Sequence, residues 1–286
     1  MRRIVLPAAL LVAGLAPAGA AAAPPPHWKP DVAAARAYGA ARTGDVSFAV
    51  RTARRSWSWR GATTYRSASV VKAMLLVAYL RRADVRGRPL RAAERALLDP
   101  MVRRSDNGAA NAIHARVGVA GLSAVARRVG MTRFVAHPVW GGSTITAADQ
   151  ARLFLRIDRL VPRRHRAYAL RLLRGVVPGQ RWGIAAAVPS GWEIAFKGGW
   201  GRGVTRQVDH QAALLTSNGL RVSVAVLTGD NPSDGYGTDT IRGVAARLLR
   251  GLDGRVLGTV VRCRRGLSAT GRSGRTGARC PAPRRR

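Results

Sequence analysis

Apolar residues recur along this chain at two spacings, and the order in which the spacings alternate predicts its architecture. Residues 31–42 are spaced as a helix behind Asp31, a side chain suited to cap a helix start. Residues 46–52 and 56–59 alternate apolar and polar positions, as paired strands do. From Ser69 the spacing becomes helical, with Met74, Leu75, Ala78 and Tyr79 on one stripe of a helix over 69–80. Further helices are expected at 90–104, 108–117, 122–129, 147–160 and 165–173. Strand patterns return at 193–197, 208–215 and 222–227, and Ser217-Asn218-Gly219 signals a hairpin between the last two. A last helix is expected over 239–249, with Ile241, Val244, Ala245, Leu248 and Leu249 on one face.

This order predicts an α+β fold: an antiparallel five-stranded sheet flanked by the terminal helices, with an all-helical second lobe over about residues 69–180. A cleft between sheet and helical lobe is the expected ligand site. The globular part should span 31–252. Ahead of it, Arg2-Arg3, an apolar run from Ile4 to Ala18 and a small-residue stretch to Ala23 read as a secretory signal over residues 1–23. That run is short and broken by Pro7 and Pro17, so cleavage near Ala20 to Ala23 is expected rather than a membrane span. Residues 24–30 read as a linker, and residues 253–286 as a basic tail.

Charge changes the picture next. The chain has 49 Lys and Arg against 14 Asp and Glu, a net charge of +35, or +33 once Arg2 and Arg3 are removed with the signal. Such a charge attracts polyanions, and outside a cell an anionic wall polymer is a possible partner. The plainer reading is a solvated surface filled with arginine. The arginines are scattered, few aromatics interleave with them and no nucleic-acid motif is present, which argues against nucleic acid as a partner. Cys263 and Cys280 both lie in the tail, and in an exported chain they are expected to pair and tether it. No metal or other cofactor is expected, and the chain is expected to be monomeric.

Only three of the basic residues are lysine: Lys29, Lys72 and Lys197. Arginine keeps its proton in proteins, whereas a desolvated lysine can act as a base. Lys29 falls in the linker and has no assigned role. Lys72 follows Ser69 by three residues, which places both side chains on one helix face. Serine is a poor nucleophile until a neighbour takes its proton, and a buried lysine with a depressed pKa can do so.

Ser69-Val70-Val71-Lys72 is followed by Ser105-Asp106-Asn107 and then by Lys197-Gly198-Gly199. This ordered set resembles the Ser-x-x-Lys, Ser-Asp-Asn and Lys-Thr-Gly motifs of class A β-lactamases and related penicillin-recognising serine hydrolases. The likeness extends to Ser105-Asp106-Asn107-Gly108-Ala109-Ala110-Asn111, to Val129-Gly130-Met131-Thr132 before an omega loop, and to Ser143-Thr144-Ile145-Thr146-Ala147-Ala148-Asp149 after it. It covers roughly Asp31 to Leu252. The resemblance implies that Ser69 is the acylated nucleophile and Lys72 its proton acceptor. Ser105 would pass a proton to the leaving nitrogen, and Lys197 would orient Ser105 and attract a substrate carboxylate. Asn107 would hold the substrate amide. The strand residues Gly199 and Trp200 would line the substrate, with the backbone N–H groups of Ser69 and Trp200 as the oxyanion hole.

Two departures separate the chain from this pattern. Gly198 stands where the family has a hydroxyl residue that would bind a substrate carboxylate, and Thr205, Arg202 or Arg206 are candidate replacements. The only glutamates are Glu94 and Glu193, so the loop between Thr132 and Thr144 lacks the family's water-activating glutamate. His137-Pro138 stands in its place; His137 is a candidate base, set against a plain loop histidine. The 36 residues from Ser69 to Ser105 indicate a trimmed helical lobe and a more open pocket. Three readings follow. The first is a secreted active-site-serine hydrolase of β-lactamase-like type, taking a β-lactam or a related amide or ester. The second is a D-Ala-D-Ala peptidase-like enzyme acting on peptidoglycan. The third is a non-catalytic penicillin- or wall-binding protein.

Overall fold

The computed structural model describes residues 28–202 and 206–252. All of them belong to the first of the two units into which the chain divides, Met1–Arg255 and Val256–Arg286. The expected signal, the Cys263–Cys280 pair, the tail and Thr205 lie outside the described residues.

Helix α1 (Val32–Ala40) begins where Asp31 accepts a bond from the Ala34 amide. Strands β1 (Asp45–Arg51) and β2 (Ser56–Trp59) follow as a hairpin. A short strand β3 (Thr64–Arg66) then leads into a 3-10 turn at Ala68–Val71 and helix α2 (Lys72–Leu80). Every residue of α2 is buried, Lys72 included, so beyond that lysine the helix is apolar all round and sits inside the core rather than on its surface. Next come α3 (Ala83–Arg86), α4 (Ala92–Arg103) and α5 (Asn107–Val129). Gly118, at φ 64° and ψ 178°, breaks α5 into two helical stretches, as the spacing of its apolar positions implies. Gly130 ends α5 in the left-handed region at φ 74°, and its amide and that of Met131 close back on Arg127 and Ala126.

A loop runs from Met131 to strand β4 (Thr144–Thr146), which pairs with β3 in a two-stranded sheet. Helices α6 (Ala147–Leu160) and α7 (Arg166–Arg174) complete the helical lobe. The chain returns through β5 (Glu193–Arg202), β6 (Gln207–Ser217) and β7 (Leu220–Asn231) to helix α8 (Asp234–Leu248). These three strands run several residues longer than the alternation alone indicates. Asn218 and Gly219 both take positive φ, as a tight hairpin turn between β6 and β7 requires.

The main sheet has the order β2-β1-β7-β6-β5, antiparallel throughout, so β5 is an edge strand. Its faces serve two cores. Ala195, Ala212, Leu214, Ala225 and Leu227 pack against the helical lobe. Ile194, Phe196, Ala213, Leu215, Val224 and Val226 pack with residues of α1 and α8. Alternation along β5 therefore places Lys197 and Gly199 on the helical-lobe face, and Gly198 and Trp200 on the face of the terminal helices.

Candidate active site

Ser69 lies half-buried on the 3-10 turn, and Lys72 opens α2. Side chains three apart eclipse in a 3-10 turn, while the hydrogen bonds of the Lys72 ammonium run to Ser105 and Asn107. The residue before the serine, Ala68, is held at φ 43°, a left-handed conformation that costs a non-glycine residue about 1 kcal/mol or more. The turn is fixed from both sides. The Ser67 amide donates to the Ser143 carbonyl at 2.7 Å, and the Ser67 hydroxyl reaches the Trp140 and Gly141 carbonyls.

Ser105 is presented by a second strained turn. The Pro100 carbonyl accepts from the amides of both Arg104 and Asp106, which folds the end of α4 back and leaves Ser105 at φ 60°. Asp106 then caps α5 by accepting from the Ala109 amide at 2.7 Å. The turn points both oxygens of Ser105 at Lys72: the Lys72 ammonium donates to the Ser105 carbonyl at 2.5 Å, to Ser105 Oγ at 3.2 Å and to Asn107 Oδ1 at 2.7 Å. From the opposite wall the Lys197 ammonium donates to Ser105 Oγ at 3.1 Å and to the Gly198 carbonyl at 2.8 Å. Ser105 Oγ thus lies between two lysines.

Both lysines are fully buried. Burial lowers Lys72 to about 8, against the opposing pull of the Asp106 charge. Lys197 is lowered well below its ordinary value, first by burial and then by the Lys72 charge beside it. Lys197 is therefore no solvated strand-end charge, and its ammonium is turned into the helical lobe rather than held out to solvent.

Gly199 is required by contact. A methyl group placed on it would lie 2.6 Å from the Val70 amide nitrogen and 2.7 Å from that of Ser69. Only glycine lets β5 come this close to the N–H groups of the Ser69 turn. Trp200 follows, 37% exposed, with its ring centroid 5.9 Å from the Lys197 ammonium.

Two residues of this region carried no signal in the sequence. The Trp140 ring stands 4.7 Å from the Lys72 ammonium, and its indole N–H is bonded to Asn111 Oδ1 at 2.7 Å. An aromatic face, not a carboxylate, therefore caps the Lys72 ammonium. Trp182 lies 5.9 Å from Trp200, edge to face, and its ring closes over Gly198. Neither tryptophan belongs to an apolar stripe; the clue to the second was the glycine itself, since a missing side chain leaves room for another.

His137 is exposed, and its Nδ1 accepts the Val139 amide at 3.0 Å, so the ring closes a turn of its own loop. Asp149 anchors that loop by accepting from the Thr132 and Arg133 amides, both at 3.0 Å. The two glutamates are engaged elsewhere: Glu94 pairs with Arg88 at 2.7 Å, and Glu193 with Arg174 at 2.7 Å. Among the described residues no group of three or more His, Cys, Asp or Glu is placed to hold a metal, and no helix is long and apolar enough to cross a membrane.

A model of the beta-lactamase enzyme family matches residues 88–252, more than half of the chain and a span that contains Ser105, Asn107 and Lys197. The chain belongs to the beta-lactamase enzyme family. It is a serine hydrolase of β-lactamase type, which sets aside the non-catalytic reading. Among solved structures, a β-lactamase from Sphaerobacter thermophilus is similar at 22% identity and TM-score 0.66, over 78% of this chain and 96% of that one. A β-lactamase from Xanthomonas campestris is similar at 17% identity and TM-score 0.67, over 78% and 97%. A class A representative from Bacteroides cellulosilyticus shows 14% identity and TM-score 0.68, over 78% and 97%. At such identities these likenesses establish the fold. No curated protein matches the chain.

Proposed function

We propose that this β-lactamase-family chain is an exported acyl-enzyme hydrolase that attacks a β-lactam or related amide or ester quickly and releases the product slowly. The observation that carries the reading is Ser105 Oγ, 3.2 Å from the Lys72 ammonium and 3.1 Å from that of Lys197. Such a chain of donors moves protons in both directions. Neutral Lys72 takes the Ser69 proton as the oxygen attacks the carbonyl, and Ser105 hands a proton to the departing nitrogen while Lys197 replenishes and orients it. The carbonyl oxygen, now negative, lies against the amides of Ser69 and Trp200, each donor contributing about 3 kcal/mol to the transition state. Asn107, already bonded to Lys72, offers its amide N–H to the substrate side chain.

Slow release rests on what surrounds Lys72. Hydrolysis of the ester needs a base for water, and the group over Lys72 is the Trp140 ring. Export rests on residues 1–23, and the excess of arginine fits a chain working against an anionic wall. A second reading, a D-Ala-D-Ala peptidase-like enzyme acting on peptidoglycan, is favoured by the same loop, which offers no carboxylate to a deacylating water. A fluorescent penicillin tests the proposal. A Ser69-dependent label that persists through gel filtration supports it; no label on Ser69 contradicts it. Turnover of a D-Ala-D-Ala peptide faster than of any β-lactam would favour the second reading.

A further inference from the structure

Among the described residues no carboxylate is bonded to the Lys72 ammonium, although that side chain is buried. Its three hydrogen bonds go to the Ser105 carbonyl, Ser105 Oγ and Asn107 Oδ1, all of them neutral acceptors. Asp106, between those two residues, turns Oδ1 to the Ala109 amide at 2.7 Å and reaches Lys72 only through its charge. From β5, Lys197 donates to the same Ser105 Oγ and adds a second positive charge. On the loop, His137 is exposed and its Nδ1 accepts the Val139 amide. A buried charge in such surroundings is costly unless something else attracts it.

The Trp140 ring supplies that attraction, with its centroid 4.7 Å from the ammonium. The face of an aromatic ring is partly negative, so it draws a cation without taking its proton. The ring is held in place by its own residue's bonds. Its indole N–H donates to Asn111 Oδ1 at 2.7 Å, one turn beyond Asn107 on α5. The Trp140 carbonyl accepts the Ser143 amide at 3.1 Å and the Ser67 hydroxyl at 3.3 Å. One residue therefore joins α5, the loop and the turn that carries Ser69, and lays its ring over Lys72.

We propose that Trp140 is a positioning residue that favours the charged form of Lys72 and so sets the pH at which Lys72 can begin to accept a proton. The proposal rests on the reading of Lys72 as the base. The ring stabilises the ammonium that forms when Lys72 takes the Ser69 proton, which makes Lys72 a stronger base. The same attraction leaves fewer neutral Lys72 side chains in acid. An aliphatic side chain in its place would keep water away and offer no such attraction.

The scarcity of lysine makes the test direct. A full chain grown with 13C-lysine gives ε-CH2 signals from Lys29, Lys72 and Lys197 alone, and the signal lost in Lys72→Arg is that of Lys72. In the wild type its ε protons should lie upfield of their position in the urea-unfolded chain, because they sit over an aromatic face. In Trp140→Leu the upfield shift should vanish and the titration midpoint of Lys72 should fall by about half a pH unit or more. Trp140→Phe, which keeps a ring and loses the indole N–H, should retain most of the wild-type midpoint. A wild-type Lys72 signal with no upfield shift, which needs no variant, would overturn the proposal; so would an unchanged or raised midpoint in Trp140→Leu. The pH profile of Ser69 acylation by a fluorescent penicillin should move with that midpoint. A midpoint that moves while the acylation profile stays in place would overturn Lys72 as the base, and leave the effect of the ring on the ammonium standing.

Discussion

The two sides of the cleft around Lys72 are built on different terms. On the strand and helix side, the ammonium groups of Lys72 and Lys197 make five hydrogen bonds to Ser105, Asn107 and Gly198, and two strained residues, Ala68 and Ser105, hold the serines in place. On the loop side, between Met131 and Thr144, the Trp140 ring stands 4.7 Å from the Lys72 ammonium, and His137 is bonded to its own turn. Strain of this kind persists only where the surroundings impose it. On the proposed reading, the difference teaches that a site can be organised for forming an ester while lacking the group that would break it.

The largest effect should come from attacking the organised side. Lys72→Arg keeps the charge but cannot give up its proton, so acylation by a β-lactam should fall by roughly 10²–10⁴-fold, read by stopped-flow labelling. A loss below tenfold would mean that Lys72 is not the base.

The loop side should respond in the opposite direction. Trp140→Glu puts a carboxylate where the ring now stands, and release of the Ser69 ester should quicken by roughly tenfold or more, measured as decay of labelled protein. His137→Ala should leave that decay unchanged, because its ring serves the local turn. A slower decay in His137→Ala, or no gain in Trp140→Glu, would break the contrast between the two sides.

The pH dependence of acylation sharpens the same contrast. Because burial lowers Lys72 to about 8, its neutral, proton-accepting form is scarce in acid. Acylation should therefore rise about tenfold per pH unit up to that pH and then level off. A rate independent of pH between 6 and 9, in pre-steady-state measurements, would contradict this role for Lys72.

A smaller effect concerns the sheet behind the site. His210 and Asp209 are neighbours on β6 that face opposite sides. Burial holds His210 at about 4, so an unfolded chain, with an ordinary value of 6.5, binds more protons between those pH values. Stability should fall as pH drops through that window. Asp209 is pushed up to about 7 from 3.8, first by burial, with Asp234 adding to it, so its contribution should fall as pH rises through that range. Between about pH 4 and 6.5 the two contributions oppose each other, so the slope of melting temperature against pH should become more negative in His210→Gln and more positive in Asp209→Asn. Changes of the same sign in both variants would be inconsistent with these environments.

Much of this organisation could be read from the chain because it rests on periodicity and spacing. The α+β order, the break in α5 and the turn at Asn218-Gly219 follow from patterns that backbone geometry enforces. So does the meeting of Lys72, Ser105 and Lys197, since each motif carries its own local turn. Strands β3 and β4 were illegible because three residues give no alternation to detect. Trp140 and Trp182 were illegible because they act from irregular segments, where position comes from tertiary contact alone. Gly198 reads in the sequence as a lost hydroxyl; in the fold it makes room for a ring. Lys197 shows the limit of composition: scarcity pointed to it, but only the fold gives its burial and its direction.

The central claim is that Ser69 is acylated readily and freed slowly. A single experiment addresses both halves: mix the protein with one equivalent of fluorescent penicillin, and follow the mass of the Ser69 peptide from seconds to hours. The account expects near-stoichiometric label within the first minutes that outlasts its own formation by orders of magnitude and is absent in Ser69→Ala. Label that never forms on Ser69, or that disappears as fast as it appears and leaves opened penicillin beside free protein, would contradict it.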